Sequence, residues 1–241
     1  MKYPNFKEEK KLWKQGYKFV VGLDESGRGP LAGPVTAVAV TVRQFSIFND
    51  QFSRIRDSKK LSEKQREFFY EKLTNHSQIK WGVGLVSEKV IDKINILEAT
   101  KLAMNKALNN LLQKTDDRRF FAGGCHLIID GNFKIHPTKY HQVLPLPEAK
   151  VFNRVKSNIR QKSIVAADQK VFSCTAASII AKVTRDRIMQ KMHKKYPIYG
   201  FNNHKGYGTY MHIKNLKTFG PCKIHRKTFE PIKSLAKTQI I

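Results

Sequence analysis

Cysteine is scarce in this 241-residue chain: Cys125, Cys174 and Cys222 are odd in number, far apart and never in a C-x-x-C spacing. Neither a disulfide framework nor a zinc site is indicated, and the three read as reduced, mostly buried thiols. Long apolar runs are missing as well. No stretch approaches the roughly 18 residues of a membrane span, and Met1 to Lys14 is too polar for a signal peptide. The expectation is therefore a cytoplasmic protein with no membrane partner. Internal repeats and low-complexity linkers are absent too, so whatever parts the chain has should pack closely.

The most informative shortage is of acids. Against 45 Lys and Arg there are 19 Asp and Glu, a formal net charge of +26. Residues 131–241 hold 22 of those bases and only four acids, Glu148, Asp168, Asp186 and Glu230. Such an excess suits a polyanionic partner, nucleic acid first, although a Lys-rich genome would also produce it. At 41% hydrophobic and 10% aromatic residues the chain lies far from the composition of disorder. Its length supports one large or two modest domains with a core that needs no staples.

After a basic start that should be helical, Phe19-Val20-Val21-Gly22-Leu23 reads as a buried strand stopping at Asp24-Glu25 and the loop Ser26-Gly27-Arg28-Gly29-Pro30. Val35 to Val42 is a β-branched run without internal glycine or proline, the expected neighbouring strand. Ser62 should cap a helix running to Leu73, and Trp81 to Val86 should form another strand. Ser87 should cap the longest helix, whose stripe runs from Val90 through Ile94, Leu97, Leu102 and Leu108 to Leu112. Leu127-Ile128-Ile129 predicts a buried strand that again ends in a carboxylate, Asp130, followed by Gly131. A helix with small residues at its start, suited to close packing on a sheet, should run from Thr175 through Met192. From Pro197 on, glycines interleaved with Tyr, His and Lys predict a basic region of short helices, which divides the chain into residues 1–196 and 197–241.

Asp24 and Asp130 each terminate a buried strand, and adjacent strands would bring both within reach of one point. Two such carboxylates can share a cation, and an all-oxygen set suits Mg²⁺ or Mn²⁺ better than Zn²⁺. Glu25 would point the other way on a continuing strand, while a loop starting there would return it to the site. A strand-terminal Asp before Gly is also a common turn residue, and spacing alone does not decide. His204, His212 and His225 lack zinc-type spacing and read as structural or phosphate-contacting residues; Asp186, inside a helix, reads as structural.

The stretch from Asp24 to Val35, DESGRGPLAGPV, resembles the opening signature of the ribonuclease HII family, which usually has Ala at the position of Ser26. Further blocks resemble the family in the same order: Asp57 to Ser62, Ile91-Asp92 with Asn95-Ile96, Ala103-Met104, and Ile129 to Asn132. So do Ala176 to Ile179 with Ala181 to Asp186, Tyr199 to Phe201 with His204 to Thr209, and Gly220 to Cys222 with His225 to Phe229. Ala167, where bacterial members often carry Gly, and Thr175, in a small-residue position, are modest departures.

The resemblance implies an α/β ribonuclease H-like fold, a mixed sheet flanked by helices with a small helical C-terminal subdomain. It also implies that Asp24, Glu25, Asp130 and Asp168 are the catalytic and metal-binding carboxylates, holding two divalent cations. The activity implied is hydrolysis of the RNA strand of RNA–DNA hybrids, or of a lone ribonucleotide in duplex DNA, leaving 5′-phosphate and 3′-hydroxyl ends. Gly27, Arg28 and Gly29 would lay main-chain groups against the ribose 2′-hydroxyl, and Tyr207 would lie beside the sugar at the RNA–DNA junction. Lys59, Lys182 and Arg185 are candidate phosphate or active-site neighbours, with solvated charges or helix-end ion pairs as the alternative, just as Tyr207 has a packing alternative. A monomer is expected. The sister ribonuclease HIII ordinarily has an extra N-terminal domain and a different glycine loop, and a noncatalytic basic RNA-binding protein would not require four acids at these positions.

Overall fold

The computed structural model describes residues 3–42, 52, 54–115, 124–136 and 159–238. Met1, Lys2 and residues 239–241, the ends of the expected basic start and C-terminal region, lie outside the described residues. Helix α1 (Lys7–Lys14) leads into β1 (Phe19–Ser26) and β2 (Val35–Val42); α2 (Glu63–Thr74), β3 (Ile79–Val86), α3 (Glu88–Thr115) and β4 (Cys125–Asp130) follow. Edge strand β5 (Arg160–Ile164) precedes the long α4 (Phe172–Lys195), and the chain closes with α5 (Phe201–His204), α6 (Tyr210–Phe219) and α7 (Ile232–Thr238).

The five strands form one mixed sheet in the order β3-β2-β1-β4-β5. β1 and β2 and β2 and β3 pair antiparallel, whereas β1 and β4 and β4 and β5 pair parallel. Alternation along the strands sorts the side chains. Val20, Val38, Val40 and Ile128 pack with Phe172, Ala176 and Ile180 of α4. Val21, Leu23, Ala39, Leu127 and Ile129 pack with Ala103, Ala107 and Leu111 of α3. With a helix on each face, β2 is buried along its whole length, which is why it reads as a continuous apolar run rather than an alternating one. Small residues set the layer spacing: a Cβ on Gly22 would run into the Ser173 backbone of α4, and one on Gly84 into the Ala103 carbonyl of α3.

Local signals behave as their chemistry dictates, with three differences. Ser62 and Gln65 form a reciprocal capping box at the start of α2. Strand β1 outruns its apolar stretch, because Asp24, Glu25 and Ser26 stay paired with Val38, Ala37 and Thr36. The single helix expected from Val90 to Leu112 is broken at Asn95, at φ 64° and ψ 168°. There the Asn95 side chain accepts from the amides of Leu97 and Glu98, capping a second helix and leaving Leu97 exposed. Strand β5 carries no apolar pattern, and its place comes from pairing with β4 and from Gln161, whose side-chain amide bonds both polar groups of the Ile135 backbone.

Helix α4 starts under a tertiary cap, since Glu9 of α1 accepts from both the amide and the hydroxyl of Ser173 at 2.9 Å. The short helices after Pro197 gather their own core from Tyr199, Phe201, Leu216 and Ile232, but that core also takes in Met189 of α4 and Leu31 and Ala32 of the glycine loop. The C-terminal region is thus built onto the loop between β1 and β2. Among the described residues no helix is long and apolar enough to cross a membrane.

Candidate metal centre

Parallel register places Leu23 of β1 beside Ile129 of β4, so the next residues, Asp24 and Asp130, emerge side by side at the same sheet end. By strand alternation both face α4. The turn Ala167–Gln169 before α4 brings in Asp168, and one carboxylate oxygen from each of these three aspartates lies within 4.8 Å of the others. Two bonds hold the third element in place: Asp130 Oδ1 accepts from the Ala167 amide at 2.8 Å, and the Thr175 hydroxyl donates to the Asp168 carbonyl at 2.7 Å. Thr175 therefore makes a specific contact at its small-residue position.

Glu25 lines the same cleft but stands outside that group. Because β1 continues to Ser26, the pleat turns Glu25 away, and its Oε1 sits 3.4 Å from the Arg28 guanidinium. Its Oε2 is buried without a hydrogen-bond partner among the described residues.

The electrostatics are those of an acid cluster that neighbouring cations offset only in part. Burial pushes the Asp24 carboxyl well above the usual range, and the charges of Glu25 and Asp130 add to the push. Burial raises Glu25 to about 7 against the opposing pull of Arg28. Burial, then Asp130 and Asp57, raise Asp168 to about 6. A divalent cation removes this cost by neutralising the charges. The residues fit such an ion: the donors are all carboxylate oxygens, the set hard divalent cations prefer, and one from each aspartate is gathered within 4.8 Å.

Around the carboxylates the cleft, about 200 Å³ in volume, is lined by Gly27, Arg28, Gly29, Lys59, Lys182 and Tyr207, with Ser58 and Ser178 at its floor. Lys59 has an 81% exposed side chain with its ammonium 3.9 Å from Asp168. Partial burial opposes its charge, but Asp168 and Asp57 outweigh that and hold it above the usual lysine range. Lys182 pairs with Asp186 one turn further along α4, at 2.7 Å, giving that aspartate a structural role.

Arg185 requires a correction. Expected among the phosphate or active-site neighbours, it is fully buried and donates to the carbonyls of Pro34, Lys205 and Ala32 at 2.9–3.0 Å, so no face of it is left for a phosphate. Arg226, not singled out from the sequence, is buried in the same way and bonds the carbonyls of Gly27, Arg28 and Gly33. Asp57 has no role assigned from the sequence either. It accepts from the Lys59 amide and from the Gln169 side chain, tying the Ser58–Lys60 turn to the Asp168 turn.

The three histidines support Tyr207. The Cys222 amide donates to His225 Nδ1 at 2.9 Å, so the ring proton sits on Nε2, which donates to His212 Nε2 at 3.0 Å. His212 Nδ1 in turn donates to the Tyr207 carbonyl at 2.8 Å. His204 accepts from the Gly206 amide and donates to the Tyr199 carbonyl. Burial holds His212 and His225 down at about 4, neutral and structural.

A family profile described as Ribonuclease HII matches residues 21–232. The chain is 45% identical over 224 residues to a ribonuclease HII of Acetivibrio thermocellus, covering 92% of this chain and 73% of that protein. It is 44% identical over 220 residues to one of Chlamydia muridarum, covering 91% and 86%. In structure it is similar to the ribonuclease H2 of Pyrococcus horikoshii, with a TM-score of 0.64 at 27% identity over 91% of this chain and 98% of the other.

Proposed function

This chain belongs to the ribonuclease HII family and is an endoribonuclease acting on RNA–DNA hybrids; on that premise we propose that it works with two divalent cations, Mg²⁺ or Mn²⁺, held by Asp24, Glu25, Asp130 and Asp168. The proposal extends to single ribonucleotides embedded in duplex DNA, with 5′-phosphate and 3′-hydroxyl ends as products. The observation that carries it is the meeting of three carboxylates, two of them buried and the third half-buried, within 4.8 Å in a chain of net charge +26. A noncatalytic nucleic-acid binder gains nothing from that cluster, which repels the polyanion the rest of the surface attracts.

When bound, the cations supply an activated water and stabilise the leaving oxygen. The remaining work falls to the chain. Asp24 and Asp130, on strands, and Asp168, on a turn bonded to Asp130, give a rigid ligand set. Lys59 and Lys182 face the cleft as phosphate contacts. Gly27, Arg28, Gly29 and Tyr207 all line the cleft, with Gly29 against the Tyr207 ring, so a ribose 2′-hydroxyl there meets main-chain donors and an aromatic ring. Because metal-free Glu25 and Asp168 keep protons to about 7 and about 6, cation loading releases protons and tightens as pH rises.

Residues 197–241 serve as the substrate-binding subdomain, through their basic outer face, and the protein acts as a cytoplasmic monomer. The deciding experiment is cleavage of a duplex carrying one ribonucleotide, with Mg²⁺, with Mn²⁺ and with chelator. A single cut 5′ to the ribonucleotide, dependent on the cation, is expected. Equal cutting in chelator would exclude the metal role, and no cutting of this duplex by enzyme active on long hybrids would remove the single-ribonucleotide activity.

A further inference from the structure

Among the described residues Arg185 and Arg226 are the two largest fully buried side chains. A buried guanidinium normally faces a carboxylate. Here all seven hydrogen bonds of the pair go to backbone carbonyls. The acceptors are Gly27, Arg28, Ala32, Gly33 and Pro34 of the loop between β1 and β2, together with Lys205 two residues before Tyr207. The Leu31 carbonyl is also held, by the Arg226 amide.

Turning the carbonyls inward has a definite consequence for the other face of the loop. The amides of Leu31 and Gly33 bond the Gly206 and Ile224 carbonyls. Those of Gly27, Arg28 and Gly29, beside the carboxylates, donate to no acceptor among the described residues. Arg185 lies directly against the loop: at Gly27, with φ +99°, a Cβ would collide with its side chain. The same guanidinium reaches the Lys205 carbonyl, so one rigid group ties the glycine loop to the segment that carries Tyr207.

Resting on the reading that this cleft takes a ribose-containing duplex, we infer that Arg185 and Arg226 are positioning residues for sugar discrimination. They fix the orientation of the Gly27–Gly29 amides and the gap between those amides and Tyr207, and thereby set the preference for a ribonucleotide over a deoxyribonucleotide. Lysine at either position keeps the charge but loses the planar fork that bonds several carbonyls at once.

The test measures binding of the full-length protein, in Ca²⁺ to suppress turnover, to two duplexes that differ only by one 2′-hydroxyl. Arg226→Lys and Arg185→Lys are compared with the parent, alongside Mn²⁺ titration by calorimetry. The parent should prefer the ribonucleotide duplex. Each variant should lose about tenfold of that preference, the size of a hydrogen bond no longer well placed, while affinity for the all-DNA duplex and for Mn²⁺ stays unchanged. A brace with no part in specificity predicts otherwise: thermal stability drops and the ribo-to-deoxy ratio does not move. That result in both variants overturns the inference, as does loss of fold in both. If one variant fails to fold, the other decides, since each arginine bonds the loop independently. If the parent itself shows no preference, the underlying reading of the cleft fails, an outcome distinct from a preference that survives both substitutions.

Discussion

Two regions of this protein bury charge, and they resolve it in opposite ways. At the sheet end, Asp24, Asp130 and Asp168 are brought together with no cation among the described residues fully engaging them; Lys59, which approaches Asp168, is mostly exposed. Beneath the glycine loop, Arg185, Arg226, His212 and His225 are buried with their hydrogen-bond partners supplied from within, by backbone groups and by one another. Burial shifts both sets toward neutrality: the carboxyls of Asp24 and Asp168 upward, the histidines to about 4 and Arg185 and Arg226 to about 10 and about 9. The self-satisfied cluster is architecture. The unsatisfied one is a site whose missing partner comes from solution.

The largest effect should come from removing a ligand at the unsatisfied cluster. Asp130→Asn deletes a charge that bridges β4 to the Asp168 turn, and cleavage in Mg²⁺ should fall about a thousandfold or more, the scale of several kcal/mol of lost electrostatic stabilisation. Since the substitution also relieves repulsion on Asp24 and Asp168, the metal-free variant should melt no lower than the parent. A variant that kept parental turnover would remove Asp130 from the reaction. One that melted well below the parent would make the cluster architectural after all.

The two regions also give opposite pH dependences. For Glu25 and Asp168, whose folded values of about 7 and about 6 lie above their ordinary 4.5 and 3.8, the stabilising contribution is full below the ordinary values. It is lost as pH rises through about 6 to 7. For His212 and His225 the contribution is full above 6.5 and lost as pH falls through about 4. In the metal-free protein the slopes oppose one another between about pH 4.5 and 6.5, each group contributing at most about 1.4 kcal/mol per pH unit. Denaturant melts should therefore be nearly flat there, decline between about pH 6.5 and 7 once the histidine slope has ended, and level off above that. With Mn²⁺ the carboxylate slope should vanish and the histidine slope emerge as a fall toward acid. A metal-independent profile would break the comparison.

How much of this was legible in the sequence follows from the same division. Strand-terminal Asp24 and Asp130 could be read from apolar runs that stop at a carboxylate, because the signal is local. Asp168 has no such local signature; it follows a turn before α4, and only the family resemblance singled it out. Strand β5 was invisible because an edge strand needs pairing, not apolar alternation, and Asn95 broke a helix whose stripe ran through it. Arg185 was misplaced and Arg226 missed for one reason. Sequence marks an arginine as a surface cation, and only the tertiary structure reveals six carbonyls converging on the pair.

Tyr207 lies where the two regions meet, its backbone held by the histidine relay and its half-exposed ring in the cleft facing Gly29. Tyr207→Ala should slow cleavage of the single-ribonucleotide duplex at subsaturating substrate by about 10- to 100-fold, the worth of a base- or sugar-stacking ring at roughly 1–3 kcal/mol. Mn²⁺ affinity should not change, and Tyr207→Phe should retain most of the rate. Equal rates for Tyr207→Ala and the parent would make the ring a packing group belonging to the architectural side.

The smallest effect tests whether charge on the exposed face of the C-terminal region differs in kind from the charge buried beneath the glycine loop. Deleting residues 197–241 is not a clean probe, because Tyr199, Phe201, Leu216 and Ile232 share a core with Leu31 and Ala32 and Arg226 holds the glycine loop. Lys214 and Lys217 are better placed, since both are exposed on α6, one turn apart, and can be neutralised without opening that core. Each phosphate contact contributes about 0.9 to the slope of log affinity against log salt. The double variant Lys214→Gln with Lys217→Gln should therefore lower the slope by up to about 2 and weaken duplex binding severalfold near 0.15 M salt. Its melting temperature, its Mn²⁺ affinity and its ribo-to-deoxy preference should all stay at parental values, because these lysines touch neither the carboxylates nor the loop. An unchanged slope would place the phosphate contacts elsewhere on the basic surface, whereas a changed preference would mean that outer and inner charges act together and the division between them is false.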